Sequence, residues 1–301
     1  MMNDVAIIRS NRLNMFGDSL NGGIKVYGMF DFPNKIRMLE TEFKLHFHRN
    51  LSDSCFNDKL RNISEETIIV FDGHVRKEFL VWLRKLHPNK RIILWLWNTV
   101  DEIEKNFNLN DVPMSIEVWS YSKYDCEKNG YNYNTTFFWK TNGVKELTET
   151  NSEIFFIGKD KGRYEKIKSF EEKCSQLGIV TDFNIVPTHR FSFPMQKKYS
   201  KKMNYSEIEN RIEKTKAILD IKVQKHAGPS LRAVESAFFK KKLITDDTNV
   251  KSFKFYNKNN IFIIGEDKYD DLNYFLNSPF EEVSLDNLYY YDVNNWVDRF
   301  F

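Results

Sequence analysis

Short β-rich runs alternate with stretches of helical periodicity along almost the whole chain, and that alternation points to an α/β architecture built on parallel sheets. In the first half, residues 5–8, 24–28, 67–71, 91–97 and 116–119 read as strands. Between the third and fourth, Val75, Phe79, Trp82, Leu83 and Leu86 recur at three- and four-residue steps. That spacing gathers them on one helical face, which His87-Pro88-Asn89 then ends. Pro33 suits the first turn of a helix carrying Ile36, Leu39 and Phe43, and Gly130 suits the close of another short helix.

The second half repeats the scheme. Residues 154–157 read as a strand and Gly158-Lys159-Asp160-Lys161-Gly162-Arg163 as a loop. Tyr164, Ile167, Phe170 and Leu177 then mark a helix closed by Gly178, and further strands are predicted at 179–186, 217–221, 242–245 and 261–264. Ser206-Glu207-Ile208-Glu209 has capping-box spacing. The polar stretch 140–152 separates the two series. The predicted domains are therefore 1–145, 151–285 and a returning segment 286–301, forming two Rossmann-like lobes that face across a cleft. Such a layout binds ligands between lobes and at the carboxyl ends of parallel strands, but it does not choose a reaction.

Composition narrows the classes. With 301 residues, 41% of them apolar and 15% aromatic, two real cores are expected and disorder is excluded. The longest apolar runs, such as 92–97, have six residues, where a membrane-spanning helix needs about 20. The first residues show no basic-then-apolar leader, so the expected location is the cytoplasm. A net charge of +3 from 45 basic and 42 acidic residues argues against a dedicated nucleic-acid binder. Cys55, Cys126 and Cys174 are odd in number and widely spaced, a pattern of reduced thiols rather than of zinc or disulfides.

The chemistry-bearing stretch runs from 217 to 247. A strand leads into a basic loop with Lys222, Gln224, Lys225 and His226; Gly228 and Pro229 turn the chain, and Ser230 is placed to cap a helix carrying Arg232 and Glu235. Amides at a helix start, with the helix dipole, form an anion site, and Glu235 can accept two hydroxyl hydrogen bonds such as a ribose diol offers. This fits a nucleotide-diphosphate pocket; the plain alternative is a capped helix with a solvated basic loop. Lys159, Lys161 and Arg163 can meet phosphate charge from the loop that follows Gly158, which is neither a Walker A loop nor a dinucleotide fingerprint. His189 and Arg190 follow the strand ending at Val186 and fall on the same side. Next comes a basic run, Lys197, Lys198, Lys201 and Lys202, interleaved with Phe191, Phe193, Met195 and Tyr199. It suits an anionic lipid-linked acceptor or a membrane surface, and otherwise a solvated loop.

The segment from "AILDIKVQ" through "SLRAVESAF" to "KKLITDD", with "IFFIGKDKGRYEKI" before it and "YYYDVNNWVDRF" after it, resembles the donor-side half of bacterial GT-B glycosyltransferases that build capsule, lipopolysaccharide and other surface glycans. The resemblance covers most of 151–301; over the first half it is diffuse, resting on "RIILWLWNTV" and "VWSYSKYDCEKNGY". It implies that Glu235 holds the nucleotide ribose, that Lys225 and His226 lie near the sugar or phosphates, and that the amides around Ser230 face the diphosphate. It also implies that a terminal helix with Trp296, Phe300 and Phe301 packs back across the first lobe. Two departures stand out. The loop Lys225-His226-Ala227-Gly228-Pro229-Ser230 differs from the family's usual Gln-x-Gly-Leu-Thr. Ala227 occupies the place, eight before Glu235, where many retaining members carry a second glutamate.

A transferase also needs a base for the acceptor hydroxyl. Asp72 and His74 emerge at the end of strand 67–71, and Asp18 lies in a loop with Gly22 and Gly23; each is a candidate base or an ordinary turn residue. Gly22, Gly23 and Asn98 are candidates for positioning the acceptor. Trp95, Trp97, Trp119 and Trp139 are read as core rather than as sugar-stacking platforms. No Asp-x-Asp pair occurs in the chain, so no metal and no resident cofactor are expected, with a nucleotide-sugar as donor substrate. The rival readings are a nucleotide-sugar epimerase of the same shape and a non-catalytic nucleotide- or sugar-binding protein.

Overall fold

The computed structural model describes residues 4–11, 19–20, 23–47, 49–139, 151–188, 199–223 and 228–301. The chain divides into two compact units, Met1–Thr135 with Val293–Phe301, and Thr136–Asp292. The first division falls ahead of the polar stretch 140–152, because residues just past it pair within the second unit: Phe138 bridges Asp292 and donates its amide to the Tyr291 carbonyl at 2.7 Å.

The first unit contains β1 (Val5–Arg9), β2 (Ser19–Leu20), β3 (Ile24–Gly28), α1 (Lys35–His46), β4 (Thr67–Phe71), α2 (Lys77–Leu86), β5 (Arg91–Leu96), α3 (Val100–Ile103), β6 (Glu117–Ser120), α4 (Lys123–Asn129) and β7 (Asn132–Tyr133). Its sheet has the order β2-β3-β1-β4-β5-β6-β7, parallel except for β2. Alternate residues face opposite sides of such a sheet. Ala6, Ile8, Ile68, Val70, Ile92, Leu94 and Leu96 pack with Phe79, Leu80 and Leu83 of α2. Phe71 and Trp95 have the opposite parity. They meet Trp296 of the last helix edge-on, with ring centroids 6.1 and 5.3 Å away.

The second unit contains β8 (Ser152–Lys159), α5 (Tyr164–Gln176), β9 (Thr181–Val186), α6 (Tyr205–Glu213), β10 (Thr215–Asp220), α7 (Leu231–Phe238), β11 (Lys242–Thr245), β12 (Ile261–Ile263), α8 (Leu272–Asn277) and α9 (Leu285–Tyr289). The sheet is wholly parallel, ordered β12-β11-β10-β8-β9. One face packs on α5 and α8 through Phe156, Leu219 and Phe262, the other on α6 and α7 through Phe155, Ile218 and Leu243. Helices cover both faces of the sheet, as in a doubly wound Rossmann-like layout. The final helix, α10 (Val293–Asp298), returns to the first unit, where Trp296 and Phe300 are buried and the Trp296 carbonyl accepts from the Asn134 side chain at 2.8 Å.

Three local expectations change. Pro33 precedes α1 rather than entering it, because the Asn34 side chain caps the helix by accepting from the Arg37 amide at 2.9 Å. On that helix Ile36, Leu39 and Phe43 are 77%, 59% and 58% exposed, while Thr41 and Leu45 face inward. Helix α6 is capped by Asn204, not by Ser206, since the Asn204 oxygen reaches the Glu207 amide at 2.8 Å.

Candidate functional site

Each sheet has one topological switch point, where the chain leaves a strand to one side and later returns on the other. In the first unit it lies between β1 and β4, in the second between β8 and β10. Ligand crevices form at such places, outside the carboxyl ends of the strands.

At the first switch point the chain places Ser10 after β1, Asp72, Gly73 and His74 after β4, and Asn98 after β5. Ser10 Oγ and His74 Nδ1 are 2.7 Å apart, spanning the gap between the two strands. His74 has a φ of 62°, a left-handed conformation that non-glycine residues adopt at some cost. A side chain at Gly73 would press on Ser10 Cβ at 3.3 Å, so glycine lets the β4 turn come this close to β1. Asp72 is 6% exposed, and its Oδ2 accepts from both the backbone and the side-chain amide of Asn98 at 3.0 and 3.1 Å. Burial pushes its carboxyl up to about 6, against the opposing pull of the Asn98 donors. A carboxylate so tuned is ionised at neutral pH yet more basic than an ordinary aspartate, as a general base requires. His74 and Asn98 beside it are half-buried.

The structure therefore brings Asp72, His74 and Asn98 together and adds Ser10, which sequence reasoning missed. The available signal was its position directly after the first strand. Gly23 stands apart from this group, in the turn before β3 with a φ of 83°. Asp18 and Gly22 lie outside the described residues, as do His189, Arg190, Gln224, Lys225 and His226.

At the second switch point Arg163 spans the gap itself. Its guanidinium donates to the Ile221 carbonyl beyond β10 and to the Lys159 carbonyl of β8, at 2.6 Å for the latter. Gly158 lies in β8 rather than in a loop, and a Cβ there would meet the Arg163 guanidinium at 3.0 Å. The expectation that Arg163 stands ready for phosphate is thus corrected: backbone carbonyls of two strands hold it as a brace. Lys161 sits in the turn with a φ of 46°, and its amide donates to Thr188 Oγ1 at 2.7 Å. Lys222 is also held inward, its Nζ donating to the Gly228 carbonyl at 2.6 Å and lying 3.2 Å from Asp247.

Ser230 caps α7 in both directions. Its oxygen accepts from the Ala233 amide at 3.1 Å, and its hydroxyl donates to Asp220 Oδ2 at 2.7 Å. Asp220 is buried, and burial raises its carboxyl, opposed by Lys222 and the Ser230 bond. Glu235 is 0% exposed. Its Oε1 accepts from the Tyr205 hydroxyl at 2.7 Å, and Oε2 pairs with Arg232. The expected open carboxylate is therefore corrected to a closed one: a buried charge needs partners, and Tyr205 and Arg232 supply them. Burial raises its pKa, with Arg232 pulling the other way.

A separate cavity of about 400 Å³ runs beside α5, lined among others by Lys166, Phe170, Lys173, Ile221 and Tyr269. No predicted donor residue lines it. All three cysteines are buried, and burial raises Cys126 to about 11 and Cys174 to about 12, which makes both poor nucleophiles. Among the described residues there is no group of three or more His, Cys, Asp or Glu suited to a metal ion, and no helix long and apolar enough to cross a membrane.

No protein-family model and no curated protein matches the chain. Among solved structures, it is similar to a DNA-modifying β-glucosyltransferase studied with and without uridine diphosphoglucose, at 14% identity over 98% of each chain with a TM-score of 0.48. It is also similar to an α1,3-fucosyltransferase with GDP, at 9% identity over 98% of this chain and 88% of that one, TM-score 0.43. The spinosyn forosaminyltransferase SpnP shares 11% identity over 91% of this chain and 82% of its own, TM-score 0.38. At these distances neither fold nor activity is carried over from them.

Proposed function

We propose that the chain is a glycosyltransferase of GT-B organisation that moves a sugar from a nucleotide-sugar to a hydroxyl of a glycan or lipid-linked acceptor in surface-polysaccharide synthesis, without a metal. The observation that carries this reading is the buried Asp72 carboxyl, raised to about 6 and paired with Asn98 at the switch point of the first sheet. In this reading Asp72 takes the proton of the acceptor hydroxyl as its oxygen attacks the anomeric carbon. The bond from that carbon to the diphosphate oxygen breaks, and a nucleoside diphosphate leaves with the electron pair. His74, held by Ser10, and Asn98 position the acceptor. The second unit binds the donor, with the amides opening α7 offered to the leaving charge. Sequence resemblance over 151–301 and the absence of any Asp-x-Asp pair support the donor assignment and the metal-free chemistry. Contact with the cytoplasmic face of a membrane through the basic run around Lys201 and Lys202 belongs to the same reading.

The test is a thermal-shift screen against nucleoside diphosphates and nucleotide-sugars, followed by turnover with glycan acceptors. Selective stabilisation by one nucleotide, with its release requiring acceptor and lost in Asp72→Asn, is the expected result. Isomerisation of the donor without acceptor would point to an epimerase instead, and net release of nucleotide from donor alone to a hydrolase. The absence of any shift at millimolar nucleotide overturns the reading.

A further inference from the structure

Helix α1 turns an apolar side outward. Ile36, Leu39, Phe43 and Phe47 recur at steps of three and four along one face, and each is between 54% and 77% exposed. A different strip holds the helix to its unit. Thr41 and Leu45 are buried, Arg37 donates to Ser54 Oγ at 3.1 Å, and the Arg76 guanidinium donates to the Leu45 carbonyl at 3.2 Å. The outward stripe keeps its helical order to the end, since the Phe47 amide donates to the Phe43 carbonyl at 3.0 Å and the two rings lie 4.5 Å apart. Single exposed apolar residues are ordinary, whereas four large ones on one helix face mark a contact surface.

The charges around the stripe select what it contacts. Lys35 and Arg37 stand in the first turn, which carries no acidic residue. The helix dipole makes that the unfavourable end for cations. Lys44, His46 and Arg49 follow at the other end, and Glu40 and Glu42 lie between, with Glu40 paired to Lys44 at 2.7 Å. Both ends of the helix are thus basic. A second copy laid on the stripe, parallel or antiparallel, would bring basic end against basic end. A flat anionic surface meets no such repulsion and offsets the unfavourable first turn as well. The stripe is also convex and one helix wide. It can enter a fluid acyl layer without a shaped groove, which a protein partner would have to supply.

We infer that α1 is an interfacial helix, which lays Ile36, Leu39, Phe43 and Phe47 into the headgroup–acyl boundary of an anionic lipid bilayer while Lys35, Arg37 and Arg49 meet its phosphates. This surface belongs to the first unit, apart from the basic run near Lys201 and Lys202, and it requires neither donor nor acceptor, so it goes beyond the transfer reading. The two kinds of side chain divide the task. The cations draw the protein to the lipid, and insertion of the stripe retains it there. Salt screens the first contribution and leaves the second.

The experiment is co-sedimentation of the full chain, without nucleotide, with vesicles of phosphatidylcholine alone or mixed in equal parts with phosphatidylglycerol. The native protein is expected to bind the mixed vesicles more tightly by about tenfold or more, and to lose most of that preference in about 0.5 M salt. Phe43→Ser with Phe47→Ser changes only exposed side chains, so the variant should fold as the native protein does and lose binding by about tenfold or more. Lys35→Glu with Arg37→Glu suits the helix dipole better and should lose the preference for phosphatidylglycerol. Equal binding to the two kinds of vesicle, or binding to neither, overturns the inference. So does a serine variant that binds as the native protein does, or a glutamate variant that keeps the preference. A native dimer in analytical ultracentrifugation that the serine variant abolishes also overturns it, because the stripe then covers a second copy. None of these failures touches nucleotide binding, which the thermal-shift screen decides separately.

Discussion

Asn98 donates twice to one oxygen of Asp72, through its backbone amide at 3.0 Å and its side chain at 3.1 Å. Even so, burial wins and the carboxyl rises to about 6. The site therefore keeps a buried carboxylate at a desolvation cost that the two Asn98 donors offset only in part.

Replacing Asp72 by Asn should therefore separate stability from turnover. Below about pH 4 the native and unfolded carboxyls are both protonated; between about 4 and 6 the native state holds a proton that the unfolded state has lost. Stability contributed by this group thus falls as pH rises through that window and stays low above it. Asp72→Asn should gain about 3 kcal/mol at pH 7 while turnover drops by about 10² to 10⁴. Urea denaturation at pH 4 and pH 7, alongside turnover, checks both halves.

Asn98→Ala removes the side-chain donor and leaves the backbone one. The Asp72 pKa should climb further, moving the acidic limb of the rate–pH profile upward by about one pH unit. An unchanged limb would mean that another group titrates in it.

Lys241 offers a pH test away from the site. It is buried just ahead of β11, its Nζ donating to the Glu213 carbonyl at 2.8 Å, and burial lowers its pKa to about 8. Between about pH 8 and 10.5 the unfolded chain keeps a proton that the native state has released, so this group adds stability as pH rises. Lys241→Met should be more stable at pH 7 by about 1 to 3 kcal/mol and should lack that rise. Paired denaturation curves at pH 7.5 and 9.5 measure the difference.

Arg163 and Gly158 form one unit in the second sheet. Arg163→Met strips donors from the Ile221 and Lys159 carbonyls and should cost about 2 to 4 kcal/mol. Gly158→Ala drives a methyl to 3.0 Å from the guanidinium and 3.1 Å from the Phe156 ring, and should cost about 1 to 3 kcal/mol. Because both act on one contact, the double variant should lose less than the sum of the two single losses.

Much of the architecture was legible because parallel strands advertise themselves. The runs 24–28, 67–71 and 242–245 match β3, β4 and β11 to the residue: β4 and β11 are wholly buried short runs, and β3 alternates buried Ile24 and Val26 with exposed Lys25. The returning helix with Trp296 and Phe300 was expected from the family resemblance alone, not from the spacing of those residues. What stayed hidden were partners supplied from far along the chain. Nothing near Glu235 announces Tyr205, 30 positions upstream, and nothing near Arg163 announces the Ile221 carbonyl, 58 positions downstream. A cation in a glycine-flanked loop looks the same whether it awaits a phosphate or clamps two strands. On α1 the apolar spacing of Ile36, Leu39 and Phe43 misled about which side is buried, because Thr41 and Leu45 face the core.

The discontinuity of the first unit sets an order of events at the ribosome. The β4–β5 surface around Phe71 and Trp95 packs on Trp296, so its cover is made only when residues 293–301 emerge, after all of 136–292. The nascent chain must therefore carry an uncovered aromatic face through the synthesis of the whole second unit, a window in which chaperones or neighbouring chains compete for it. Trp296→Ala, expected to cost about 3 to 5 kcal/mol, would thin that cover and leave Phe300 to shield Trp95.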